Sequence, residues 1–145
     1  MNMSESIPPL QPVTPVTAPS STRSWEVLCH LSSLVGLLFG FFWIPFLNIL
    51  GPLIVWLAKR NDSVGIDAHG KEAVNFHLSW TLYAVTATAV VIGLCFVLIG
   101  FLMLPLLWIG LYVGLGVMIV LTIIAAVKAS NGELYRYPLT IRFLK

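Results

Sequence analysis

The chain has 145 residues, of which 58% are hydrophobic and only 10% are charged, and its mean hydropathy is +0.92. An ordinary globular domain carries about 25% charged residues, so this composition excludes a soluble fold. The net charge of +2 is small and no basic cluster with interleaved aromatic residues is present, which excludes a nucleic-acid partner. The composition therefore predicts an all-α, polytopic membrane protein whose first partner is the lipid bilayer.

Two stretches without any Asp, Glu, Lys or Arg, residues 27–58 and 73–127, define the expected topology. They contain 32 and 55 residues, whereas one membrane-spanning helix needs about 20. Each stretch is long enough to fold back as a hairpin, which predicts four membrane segments, at about 25–42, 46–58, 71–100 and 106–129. A single crossing by the first stretch would leave a three-segment alternative.

The N-terminal residues 1–22 contain five prolines among Ser, Thr and Val and lack the pattern of a signal peptide. This composition predicts a disordered tail, followed by a helical membrane domain over residues 23–145. Ser24 is the expected N-cap of the first segment. Ser32, Gly36 and Gly40 then follow at four-residue spacing and form a ridge of small side chains that favours close helix packing.

The second segment is expected to be short. Pro45, Gly51 and Pro52 interrupt the first uncharged stretch, because proline removes a backbone donor and clashes with the preceding turn. The remaining helix, about 46–58, is only about 20 Å long at 1.5 Å per residue, less than the ~30 Å of the hydrocarbon core. We therefore expect a thin, tilted or half-inserted segment.

Polar side chains continue into the third segment along one face of the helix. With a rotation of 100° per residue, five polar side chains fall within about 80° of one another around the helix axis. They are Glu72, Asn75, Ser79, Tyr83 and Thr86. An unsatisfied polar group in hydrocarbon costs several kcal/mol, so this polar stripe must face protein or water. Ser79 and Thr86 can bond to the carbonyl four residues back. Asn75 and Tyr83 are expected to hydrogen-bond across helices to the broken region around residues 48–51.

The third and fourth segments are expected to join through an apolar turn at residues 100–105, and Asp67 is the expected N-cap of the third. Gly110 and Gly114 form a GxxxG pair near the start of the fourth segment. Asn131 and Gly132 provide a C-cap signal. The final residues 133–145 are rich in Tyr, Arg and Lys, which predicts a tail that lies at the membrane interface.

Orientation follows from the basic residues, all of which lie on one side if both uncharged stretches are hairpins. They are Arg23, Lys59, Arg60, Lys71, Lys128, Arg136, Arg142 and Lys145. The positive-inside rule then places both termini in the cytoplasm.

Reactive constellations are scarce in this sequence. His69, Glu72 and His77 are candidate metal ligands, but His77 lies about 140° around the helix from Glu72, and a second ligand set is missing. Neither a metal site nor a cofactor is therefore predicted. Cys29 and Cys95 lie in apolar stretches. We expect both to be small buried hydrophobic residues. Glu72 is interpreted as a carboxylate in the first turn of the helix that interacts favourably with the helix dipole. The alternative is that it serves as a coupling site of a transporter.

Two motifs carry a family resemblance, WLAKRNDSVGIDAHGKEAVNFHLSW at residues 56–80 and AVKASNGELYRYPLTIRFL at residues 126–144. The chain from Trp25 to Leu144 resembles a family of small bacterial membrane proteins of unknown function. That family is grouped with the twenty-kilodalton (Tic-twenty-like) channel component of the chloroplast inner-envelope protein translocon. The resemblance implies a multi-pass protein of the bacterial inner membrane, either protein-conducting or accessory, and supplies no site residues.

The sequence thus favours a non-enzymatic small subunit or helper of a membrane assembly, with another membrane protein or a second copy as partner. The alternative is a small channel or transporter that uses the polar stripe of the third segment.

Overall fold

The computed structural model describes residues 20–145 except 41–45, with only the backbone described at residues 37–40. The described residues form four α-helices and no strand, which confirms the all-α prediction: α1 (Ser20–Gly40), α2 (Leu47–Lys59), α3 (Val64–Cys95) and α4 (Ile99–Ser130). Most of the expected N-terminal tail, residues 1–19, lies outside the described residues. Residues 20–22 belong to α1, where the Ser24 hydroxyl donates to the Ser20 carbonyl instead of capping the helix.

Helices α1 and α2 form an antiparallel hairpin that depends on residues without side chains. A Cβ atom at Gly36 would lie 2.8 Å from the Cα of Asn48, and one at Gly51 would lie 2.6 Å from the carbonyl carbon of Ser32. Real Cβ atoms do not approach other atoms so closely, so both positions require glycine. Ser32 and Gly36 thus lie at the α1/α2 contact, whereas the surroundings of Gly40, the third member of the ridge, lie outside the described part.

Helix α2 runs through Pro52, which is buried in its second turn. Its 13 residues give a length of about 20 Å, as the sequence predicts. Near its C-terminal end, Trp56 packs on α3, where a Cβ at Gly70 would lie 2.6 Å from the Trp56 Cγ. The Trp56 Nε1–H also donates to Asp67 Oδ1 over 2.8 Å, which fixes α2 against the first turns of α3.

The α3/α4 hairpin differs from the expected boundaries at the start of α3 and at the turn between the two helices. Helix α3 begins after Ser63, whose hydroxyl accepts from the Gly65 N–H, so Asp67 is not its N-cap. The turn lies at residues 96–98 instead of 100–105, with Leu98 in the left-handed region at φ 63°. Pro105 lies inside α4. Gly100 makes this early return possible, because a Cβ there would lie 2.6 Å from the Leu94 carbonyl carbon.

Helices α3 and α4 are each 32 residues long and apolar enough to cross a membrane. At 1.5 Å per residue, each is about 48 Å long, well beyond the ~30 Å of a hydrocarbon core. Only 11% and 22% of their most apolar windows are buried within the described chain. The core helix of a soluble protein would be mostly buried, whereas these two helices present most of their apolar surface outward.

The α1/α2 hairpin covers only one half of α3. Helix α1 runs parallel to α3, since Glu26 contacts Gly65 and His30 contacts His69 with the same offset. The last residue of α1 is therefore level with about residue 79, and α3 continues for about 24 Å beyond that level at 1.5 Å per residue. Phe96 and Leu102 in the remaining half are more than 70% exposed. We call the covered half, where α1 and α2 pack against α3 and α1 also contacts α4, the basic end, because the Lys and Arg residues lie there.

Candidate functional site: a polar stripe closed by the C-terminal strap

The residues after α4, 133–145, do not form a helix but follow the polar face of α3, and we call them the strap. The Tyr137 ring stacks on Phe76 with the ring centroids 3.9 Å apart. The chain turns at Pro138 and Leu139, where Leu139 has a φ of 55°. It then runs back towards the first turns of α3. The strap therefore packs beside α3, between the levels of Tyr83 and Glu72.

Asn75 holds the end of the strap with all of its side-chain amide. Its Oδ1 accepts from the backbone N–H groups of Phe143 and Leu144 over 3.1 and 2.9 Å. Its Nδ2 donates to the Leu144 carbonyl over 2.9 Å. Only 1% of Asn75 is exposed, so these bonds satisfy both the buried amide and a stretch of backbone that has no helix or sheet to join.

Ser79 and Tyr83 continue this pattern further along α3. The Ile141 N–H donates to Ser79 Oγ over 2.9 Å, and the Ser79 hydroxyl in turn donates to the Asn75 carbonyl over 2.7 Å. The Tyr83 hydroxyl donates to the Leu139 carbonyl over 3.0 Å. Thr86, the last residue of the stripe, is exposed. Three consecutive members of the stripe thus bind the backbone of the strap.

The prediction that Asn75 and Tyr83 bond to the region around residues 48–51 is wrong. Both side chains bond to the strap instead. The physical reason is that Gly51 and Asn48 are used to pack α2 against α1, whereas the extended strap presents backbone N–H and C=O groups that have no regular partner.

An ion pair attaches the strap to the first member of the stripe. The Arg142 Nε donates to Glu72 Oε1 over 3.2 Å, with Glu72 7% exposed and the Arg142 side chain 45% exposed. Removing the arginine would leave a buried carboxylate without its cation, which is strongly unfavourable. At the other end of the strap, Glu133 pairs with Lys128 over 2.8 Å, and the hydrogen bond from that ammonium lowers the pKa of the Glu133 carboxyl.

Buried histidines connect the strap to α1 and α3. His30 Nδ1 shares a hydrogen bond of 2.9 Å with the Tyr137 hydroxyl, and His30 Nε2 shares one of 3.0 Å with His69 Nδ1. His30 is 0% exposed, and burial raises the pKa of the Tyr137 hydroxyl. His30 was not among the site residues predicted from the sequence. Its signal was present, since a histidine inside the uncharged stretch 27–58 needs a polar partner.

The candidate metal ligands are not brought together. Glu72 bonds to Arg142 and His69 to His30, while His77 lies edge-on to Phe76 with ring centroids 5.1 Å apart. Within the part of the chain that the structure describes, no group of three or more His, Cys, Asp or Glu side chains could hold a metal ion. Cys29 is buried and Cys95 partly buried, and both are free.

The GxxxG pair of α4 is divided between two environments. A Cβ at Gly114 would lie 3.0 Å from the Trp80 ring, so this glycine serves the α3/α4 contact. A Cβ at Gly110 would meet nothing within 4 Å among the described residues. Only one of the two glycines therefore serves packing within the described chain.

Two long apolar helices that face outward, together with a polar stripe of which three members bond to the chain's own backbone, define a helical membrane protein. A family model described as the magnetosome magnetite crystal formation protein family (MamF/MmsF) matches residues 21–144. The chain belongs to this family. No curated protein and no solved structure matches it significantly. The resemblance to a small membrane-protein family is thereby confirmed, whereas the onward similarity to the twenty-kilodalton translocon component has no support.

Proposed function

We propose that this protein is a non-enzymatic membrane component of magnetite crystal formation, acting as a small subunit or helper in a membrane assembly. The observation that carries the proposal is the family match, which spans residues 21–144 and therefore all four helices and the strap. The expected partner is another membrane protein or a second copy of the chain.

The hydrogen bonds of the polar stripe favour this proposal over a channel or transporter. A conducting stripe would have to face water, but Asn75, Ser79 and Tyr83 each bond to strap backbone. Opening a path along the stripe would break these bonds and leave several backbone groups unpaired in a low-dielectric environment. The stripe is better suited to holding the strap than to passing a solute.

We further propose a topology with two complete spans, α3 and α4, and an α1/α2 hairpin that enters from the basic end to about half depth. The basic end is compact: Lys59 lies over the Trp25 ring at 5.0 Å, and a Cβ at Gly132 would lie 3.6 Å from Arg23. The first residues of α1 and the last residues of α4 thus share one end with the α2/α3 loop. The positive-inside rule places this end, with both termini, on the cytoplasmic side of a bacterial inner membrane.

Gene deletion in the magnetite-forming host tests the function. We expect the deletion strain to form crystals of altered number or size in electron micrographs, and the wild-type gene to restore them. Complementation with Asn75→Ala should restore crystals less well than complementation with the matched variant Thr86→Ala. Of these two residues, only Asn75 bonds to the strap. Crystals that are unchanged in the deletion strain would refute the proposal.

Purification in a gentle detergent with mass measurement tests the role as a subunit. A particle that contains a second copy or a co-purifying membrane protein agrees with the proposal. A strictly monomeric particle would count against it.

A further inference from the structure

A cavity of about 480 Å³ opens at the basic end, between the end of α2, the start of α3 and the end of the strap. Its walls include Trp56, Arg60, Asn61, Ser63, Lys71 and Lys145. These residues come from two separated segments of the chain, residues 56–71 and 144–145, so the cavity exists only when the strap is seated against α3.

Cations dominate the walls of this cavity. Arg60, Lys71 and Lys145 contribute three positive charges, and Asp67 is the one acidic side chain in the lining. Both oxygens of Asp67 are already engaged, Oδ1 by the Trp56 Nε1–H over 2.8 Å and Oδ2 by the Lys71 ammonium over 2.7 Å. The Arg60 guanidinium lies over the Trp56 ring at 5.3 Å, which holds it at the cavity wall. The lining therefore attracts an anion.

The position of the cavity along α3 indicates where that anion comes from. Its α3 residues lie between Ser63 and Lys71, and the uncharged stretch of the sequence begins at residue 73. The cavity is thus placed where the helix passes from water to hydrocarbon, the depth of lipid headgroups. The positive end of the α3 dipole lies at the same level and adds to the attraction for a phosphate.

We propose that this cavity binds the phosphate of an anionic phospholipid. Arg60 at the end of α2 and Lys145 at the end of the strap contact the phosphate from two sides. The bound lipid therefore fastens the strap to the helices that it covers. This site is independent of the role in crystal formation, because it requires only the membrane and the described fold.

The test is native mass spectrometry of the full-length protein in a neutral detergent. The protein is titrated with phosphatidylglycerol, with zwitterionic phosphatidylcholine, and with inorganic phosphate in separate experiments. We expect retention of phosphatidylglycerol in preference to phosphatidylcholine. A basic residue near an anionic surface contributes about a fivefold factor in affinity, so Arg60→Gln with Lys145→Gln should weaken retention by roughly tenfold or more.

The matched control is Lys59→Gln. Lys59 is the neighbour of Arg60 but pairs with Asp62 over 2.8 Å and does not line the cavity, so its loss should leave lipid retention unchanged. Equal retention of the two lipids, or equal loss in the control and the double variant, would overturn the proposal. Binding of inorganic phosphate with no preference for phosphatidylglycerol would keep the phosphate site but overturn its assignment to lipid. Circular dichroism verifies that each variant is folded.

Discussion

Replacing Asn75 by alanine should release the end of the strap. The substitution removes three hydrogen bonds, two from the backbone N–H groups of Phe143 and Leu144 and one to the Leu144 carbonyl. A hydrogen bond contributes about 0.5–1.5 kcal/mol net in proteins, and bonds between membrane helices about 0.6–2 kcal/mol. Three bonds therefore correspond to roughly 2–4 kcal/mol of strap attachment.

This loss of attachment free energy increases the fraction of molecules in which the strap is detached from α3, which we call the open strap. A change of about 1.4 kcal/mol is a factor of ten in an equilibrium constant, so Asn75→Ala should raise the open fraction by a factor of roughly 30 to 1,000. The assay is the labelling rate of Leu144→Cys, whose side chain is partly buried when the strap is seated, by a maleimide reagent in a background with the native cysteines replaced by alanine. Labelling should accelerate by up to the same factor, limited by the rate at which the open strap reacts.

Thr86→Ala is the control, because Thr86 is exposed and lies outside the strap contacts of the stripe. Labelling at residue 144 should be unchanged in that variant. Equal labelling rates for Asn75→Ala and Thr86→Ala would refute the assignment of the stripe as the binding surface of the strap.

Three further predictions follow from the packing and topology. Tyr83→Phe removes one hydrogen bond and should lower the free energy of unfolding in detergent by about 0.6–2 kcal/mol; an unchanged value would contradict the bond to the strap. Gly36→Ala should reduce the yield of folded protein by forcing α1 from α2, whereas Gly110→Ala, which places its methyl group in open space, should not. In a background without native cysteines, Leu98→Cys should react with an impermeant reagent from the periplasmic side and Phe46→Cys should not; reaction at both would instead support four complete spans.

The sequence predicted which segments are helical and which face of α3 is polar, because both depend on local composition and periodicity. It could not predict what covers that face. Asn75 and Leu144 are 69 residues apart, and periodicity identifies a buried polar face without identifying its partner. The broken region around residues 48–51 was the nearest source of unpaired backbone groups in the sequence, but close packing against α1 occupies it.

The boundaries of the α3/α4 hairpin were also beyond local rules. Pro105 indicated the end of a turn, yet α4 begins six residues earlier, at Ile99. The turn itself contains no Gly, Pro or Asn, and Leu98 adopts a left-handed conformation that costs roughly 1–2 kcal/mol for such a residue. The close contact of Gly100 with the end of α3 allows this turn, and contacts of that kind are visible only in three dimensions.

The half-length α1/α2 hairpin gives the molecule the outline of a wedge. Each helix has a diameter of about 10 Å, and the basic end contains four helices and the strap, whereas the described residues at the opposite end belong to α3, α4 and their turn. In the proposed orientation the protein displaces about twice as many lipids from the cytoplasmic leaflet as from the outer one. Such an inclusion fits best in a bilayer that bulges towards the cytoplasm, and many copies side by side would favour an inward-budding membrane over a flat one.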